Sequence, residues 1–129
     1  MVSLLKVALE HDTNDDPTSE EWIGFDLDGT TAEYDGWKGI EHIGAPIAKT
    51  VNMIKAFLAK GVKVKFLTAR VATKDANERR MARKYIADWS LTNIGTALDA
   101  TCIKDRMMVR LYDDRARQVI ENEGEVVLA

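Results

Sequence analysis

Two carboxylates separated by a single residue, Asp26 and Asp28, lie in the middle of the stretch Trp22 to Ala32. The apolar residues 22–25 predict a short buried strand, and the Gly29 turn would end it. Both acids would then lie at the carboxyl end of a strand, where open α/β sheets bind ligands. One carboxylate can attack phosphorus there, while the other handles the proton of the leaving oxygen. From these residues alone, a turn with solvated acids is an equally good interpretation.

Two more predicted strands carry polar side chains at their ends. Residues 62–67 are rich in β-branched types, which predicts a strand that ends at Thr68. A hydroxyl at this position can donate to a phosphoryl oxygen without adding charge. Residues 100–103 predict a further short strand, which leads to Lys104.

A pair of adjacent acids follows the last predicted strand, residues 107–112. Asp113 and Asp114 repel each other, and such a pair is costly unless a cation compensates the charge. Magnesium prefers carboxylate oxygens and would provide this compensation. The adjacent acids therefore point to a magnesium site.

Helices are predicted between these strands. Apolar residues at three- and four-residue steps indicate a helix over residues 47–60, ended by Gly61. A second helix is predicted over residues 73–91, capped by Thr73 or Asp75. Residues 117–128 predict a terminal edge strand or hairpin.

The segment 31–46 is too rich in glycine for a continuous helix, so it predicts a structured loop beside the two acids. We expect Trp37 and Ile43 to pack this loop onto the body of the protein. His42 is the better candidate for contact with solvent or ligand.

Length and composition restrict the class of protein. The 129 residues suffice for one domain, which we assign to residues 22–129, with residues 1–21 as an arm or linker. No apolar run approaches the ~18 residues of a membrane span, so we expect no membrane partner. The single cysteine, Cys102, cannot form an internal disulfide and favours a cytoplasmic location. The net charge of -3 gives no general case for nucleic-acid binding.

In chain order, these features closely resemble the motifs of the haloacid dehalogenase superfamily of phosphohydrolases. The Asp26-Leu27-Asp28-Gly29-Thr30 motif is the most specific part, and the resemblance covers residues 22 to about 120. It implies an α/β fold, a Rossmann-like three-layer sandwich with a mainly parallel central sheet. The family's cap domain would be absent, because its insertion points offer only the 31–46 loop and one helix. Receiver domains use similar residues in a different order.

The resemblance implies a catalytic role for four residues. Asp26 would be the nucleophile that forms an aspartyl-phosphate, and Asp28 would be the general acid and base. Thr68 would bind a phosphoryl oxygen. Lys104 would neutralise the charge that grows on the nucleophile and phosphate, with Lys74 as the alternative.

The resemblance also implies a Mg²⁺ ion as cofactor. Its ligands would be Asp26, the backbone carbonyl of Asp28, and Asp114. Asp113 would bind the ion either directly or through water.

The run Tyr112 to Val119 resembles the phosphatase part of polynucleotide kinase-phosphatases. Together with an open cleft, this favours a large phosphorylated substrate such as a nucleic-acid 3′-phosphate. A metabolite or nucleotide phosphatase covered by homo-oligomerisation is one alternative. A phosphate-binding module without useful catalysis is the other.

Overall fold

A four-stranded parallel sheet forms the centre of the protein; the structure, a computed structural model, describes residues 20–128. The spatial order is β3-β2-β1-β4, with β1 at Trp22–Phe25, β2 at Val64–Leu67, β3 at Ala100–Thr101 and β4 at Met108–Tyr112. The predicted parallel α/β class is therefore confirmed. The predicted arm, residues 1–21, lies outside the described residues except for its last two. The three-layer arrangement stays a prediction.

Strand β1 is buried along its whole length because it lies between β2 and β4. A strand covered on both faces carries a continuous apolar run instead of an alternating pattern. A Cβ at Gly24 would lie 2.8 Å from the sulfur of Met108, so a larger residue here would require the methionine side chain to shift.

Two helices connect the first three strands, and both were predicted. Helix α1 (Ala48–Ala59) buries Val51, Ile54 and Phe57, and Gly61 follows it with a φ of +80°. Helix α2 (Ala76–Asn93) begins after Asp75, whose carboxylate accepts the backbone N–H groups of its first turn. Of the two predicted caps, Asp75 is the one that acts. Neither helix combines the length and apolar character needed to cross a bilayer, within residues 20–128.

The strand order reverses at β1. The chain passes from β1 to β2 and β3 in one direction, and β4 returns to the opposite side of β1. Such a reversal is the position where open parallel sheets bind ligands. Phe25 pairs with Tyr112, so the next residues, Asp26 and Asp113, leave the sheet side by side.

The end of the described chain forms a small hairpin. Val119 and Val126 make one antiparallel bridge, and Asn122 adopts a φ of +65° in the turn. The hairpin prediction is therefore confirmed. The alternative of a terminal edge strand is wrong, because no residue after Tyr112 joins the described sheet.

Candidate active site

Three carboxylates meet at the carboxyl ends of β1 and β4. One oxygen from each of Asp26, Asp113 and Asp114 lies within 4.8 Å of the others. The register of the two strands brings them together, since Asp26 and Asp113 follow paired residues. Three of the predicted metal ligands thus share one location. The predicted contribution of the Asp28 carbonyl stays a prediction.

Thr30 contacts an acid that follows β1, Asp26, and an acid that follows β4, Asp114. Its hydroxyl lies 2.9 Å from Asp114 Oδ1 and 3.4 Å from Asp26 Oδ2, and it accepts the backbone N–H of Asp114. Gly29, with a φ of +90°, leaves space for the Asp114 carboxylate, which a Cβ would approach to 2.9 Å. The turn after β1 therefore fixes the position of an acid 84 residues later in the chain.

The pKa values of Asp26 and Asp114 shift in opposite directions. Burial raises the pKa of Asp26 to about 7, and the neighbouring Asp114 and Asp113 add to the shift. Asp114 is more exposed, and the Thr30 hydroxyl holds the pKa of its carboxyl below the usual value. Near neutral pH, Asp26 is the group of this pair that retains a proton when no cation is bound.

Asp28 is not one of the three clustered carboxylates and pairs with Arg70. The guanidinium donates from Nε to Oδ2 at 2.7 Å and from Nη2 to Oδ1 at 2.8 Å. It also donates to the carbonyl oxygens of Ile40 and His42, at 3.3 and 2.8 Å. Since Arg70 is only 8% exposed, this two-point contact holds Asp28 in one orientation.

Thr68 ends β2 at the same edge of the sheet and is buried. Its Oγ1 accepts the backbone N–H of Arg70 at 3.2 Å and so caps the short 3-10 helix Ala69–Val71. A hydroxyl that accepts a hydrogen bond keeps its own proton for donation. Thr68 is therefore prepared to donate to an anionic oxygen.

A cavity of about 700 Å³ connects these groups, with Asp26, Asp28, Thr68, Asp113 and Asp114 in its wall. The cationic side chains in the wall are Arg70 and Arg115. Lys104 and Lys74 are exposed and do not line the cavity. The structure thus brings five of the predicted residues together and leaves both candidate lysines outside. The catalytic role of a lysine stays a prediction.

The loop after β1 supplies an aromatic part of the same cavity, formed by Tyr34 and Trp37. The expectation that Trp37 packs onto the body is wrong, because this side chain is 56% exposed. The Arg70 guanidinium lies over its ring, 4.8 Å from the centroid. Ile43 does pack against the core as predicted. His42 is exposed but does not line the cavity.

Arg70 is the residue that sequence reasoning missed. The available signal was its place two residues after Thr68, at the end of a predicted strand. Nothing in the spacing pointed to Asp28, 42 residues earlier. Only the folded arrangement of β1, β2 and the loop brings the two side chains together.

Comparison with family models, with curated proteins and with solved structures found no match to this chain.

Proposed function

We propose that this protein is a magnesium-dependent phosphomonoester hydrolase of the haloacid dehalogenase type, acting through Asp26. The observation that carries the proposal is the cluster of Asp26, Asp113 and Asp114 at the reversal of strand order, with Thr68 in the same cavity. A reacting carboxylate, acidic metal ligands and a hydroxyl donor are the groups that phosphoryl transfer requires.

The donor set of the cluster fits a hard divalent cation. It contains carboxylate oxygens, which Mg²⁺ prefers, and these lie close enough together to repel one another. The ion pairs of Arg70 with Asp28, Lys38 with Asp35 and Lys84 with Asp88 do not involve the cluster. A bound ion would compensate the charge of the cluster and reduce the repulsion between Asp26 and an anionic phosphate.

In the proposed reaction, an oxygen of Asp26 attacks phosphorus while the bond from phosphorus to the leaving oxygen breaks. The leaving oxygen takes a proton from Asp28, and an aspartyl-phosphate remains on Asp26. Water then attacks this phosphorus and gives a proton to Asp28, which releases inorganic phosphate and restores both carboxyl groups. The cycle consumes one water molecule for each monoester.

The contacts of Asp28 and Thr68 support these roles. Each Asp28 oxygen accepts from Arg70 but has a second lone pair, so the hydrogen bonds to Arg70 can persist when Asp28 carries the proton and is neutral. Thr68 has a hydroxyl proton to donate to a phosphoryl oxygen. Lys104 is proposed to act electrostatically, as the family resemblance implies, although it lies outside the cavity wall.

The proposal is tested with p-nitrophenyl phosphate. The wild-type protein should release p-nitrophenol with Mg²⁺, and EDTA should stop the release. Asp26→Asn should lower turnover at least about 1,000-fold, because the amide oxygen is a poor nucleophile. Asp88→Asn is the matched control, since it makes the same change at an exposed ion pair on α2 and should retain activity.

Activity that survives Asp26→Asn would reject the nucleophile. Tight binding of phosphate by the wild-type protein, without turnover on a broad panel of monoesters, would support the phosphate-binding module instead. Mass in solution distinguishes an open monomer from an enzyme whose cleft is covered by a second copy.

A further inference from the structure

We propose that Trp37 and Tyr34 form a stacking subsite for a nucleobase carried by the leaving group of the substrate. This inference rests on the proposed phosphatase function and assigns its substrate class. The two aromatic side chains are defined here as the aromatic shelf. The chemistry they would recognise is the flat, π-bonded face of a base, either in a free nucleotide or at the end of a strand.

The first support is the exposure of the shelf within the cavity. Trp37 is 56% and Tyr34 is 45% exposed, although both belong to a loop that is packed onto the body through Ile40 and Ile43. Both line the cavity that contains Asp26. An aromatic surface beside a reacting carboxylate can contact the same small molecule that the carboxylate attacks.

The second support is the rigid attachment of Trp37 to the site. The Arg70 guanidinium lies 4.8 Å from the ring centroid, and that guanidinium is held by Asp28 and by two loop carbonyls. The position of the indole is thus coupled to the position of Asp28. A base stacked on this ring would be held at a defined distance from the group that protonates the leaving oxygen.

The third support is the match between the cavity and a nucleotide. A volume of about 700 Å³ lies within the range of about 300–1,000 Å³ typical of small-molecule sites. Indole and phenol rings accept any base, because every base has a π face. An aliphatic leaving group, such as glycerol, offers no such face. The shelf should therefore select base-bearing monoesters over aliphatic ones.

The test compares kcat/KM for adenosine 3′-phosphate, a 3′-phosphorylated oligonucleotide and glycerol 2-phosphate, each with Mg²⁺. Trp37→Ala should lower kcat/KM for the two base-bearing substrates on the order of tenfold more than for glycerol phosphate, chiefly through KM. Trp37→Phe should recover most of the loss because phenylalanine keeps a π face. Leu91→Ala is the control, since Leu91 is also 56% exposed but lies on α2 outside the cavity.

An equal loss on all three substrates would overturn the subsite, because it would show that Trp37 acts only by supporting Arg70 and Asp28. The comparison of the two base-bearing substrates shows whether the subsite binds a free nucleotide or the end of a strand. A preference for the oligonucleotide assigns the subsite to a strand end, and a preference for adenosine 3′-phosphate assigns it to a free nucleotide.

A binding measurement separates this inference from the proposed function. Calorimetric titration of Asp26→Asn with adenosine 3′-phosphate needs no turnover. Affinity that falls on the order of tenfold when Trp37→Ala is added supports the subsite even if the wild-type protein hydrolyses nothing. Affinity that does not change on adding Trp37→Ala, in a protein that hydrolyses p-nitrophenyl phosphate, overturns the subsite and leaves the phosphatase function in place.

Discussion

Asp26 and Asp28 are two residues apart, yet their surroundings have opposite electrostatic character. Asp28 makes a two-point ion pair with the buried guanidinium of Arg70. Asp26 instead faces two further acids, Asp113 and Asp114, and its pKa rises to about 7 through burial and their proximity. We call Asp28 with Arg70 the compensated side of the motif, because its ion pair is direct. Asp26 with Asp113 and Asp114 is the uncompensated side, where Arg115 acts on Asp114 only through its charge.

This difference suits the two sides to separate tasks in the proposed reaction. A carboxylate fixed by an arginine has a defined orientation, as a proton-transfer group requires. A cation bound among the three acids would reduce their mutual repulsion and would lower the barrier to attack by an anion.

The largest effect is expected on the uncompensated side, from Asp114→Asn. This change removes a charged ligand from the cluster, so the apparent affinity for Mg²⁺ should fall about 100-fold or more. Activity measured against Mg²⁺ concentration checks this result. Asp99→Asn, at an exposed acid outside the cavity, should leave the Mg²⁺ dependence unchanged. A normal Mg²⁺ dependence in Asp114→Asn would remove Asp114 from the metal site.

A smaller effect is expected on the compensated side, from Arg70→Gln. Asp28 and the carbonyl oxygens of Ile40 and His42 would lose their shared donor. The expected loss of unfolding free energy is about 2 kcal/mol, since removing one member of a buried pair is expensive. Urea denaturation measures it.

The exposed pair between Lys38 and Asp35 provides the matched control for Arg70→Gln. Lys38→Gln makes a similar change and should lower the unfolding free energy far less than Arg70→Gln does, because water screens this exposed pair. Equal effects of the two substitutions would show that burial does not distinguish the ion pairs. The contrast between the two sides of the motif would then have no energetic basis.

Local sequence was sufficient to predict the uncompensated side. Asp26, Asp113 and Asp114 each follow an apolar strand directly, and parallel strands place their carboxyl ends at one edge. Strand boundaries and hydrophobic pattern therefore sufficed to predict the approximate position of these acids. The parallel α/β class was an implication of the family resemblance, and the structure confirms that class.

The compensated side depends on contacts that no local pattern contains. Arg70 follows β2 and pairs with Asp28, which follows the neighbouring strand β1, and its guanidinium also lies over Trp37. Trp37 was expected to pack the loop onto the body of the protein, but its ring contacts the Arg70 cation and stays 56% exposed. Lys104 was selected by its place in the order of motifs along the chain. This order does not determine which side chains line the cavity, and Lys104 does not line it.

The smallest effect concerns the stability of the metal-free protein. The pKa of Asp26 is about 7 in the folded protein against an ordinary value of 3.8, so between these values the folded state holds a proton that the unfolded chain has released. Stability therefore falls as pH rises through this window, and the loss is complete above about pH 7. In EDTA at pH 8, Asp26→Asn should be more stable than wild type by about 1 kcal/mol, allowing for partial exposure.

Thermal unfolding measures this difference, which should raise the Tm by a few degrees in a protein of this size. Adding Mg²⁺ should stabilise the wild type more than the variant, because only the wild type has all three carboxylates to bind it. The gain from Asp26→Asn should also shrink as the pH is lowered toward 4, where wild-type Asp26 is protonated in the folded protein. If the stabilisation by Asp26→Asn did not depend on pH, ionisation of Asp26 would not destabilise the metal-free protein. Asp26 and Asp28 would then differ in geometry alone.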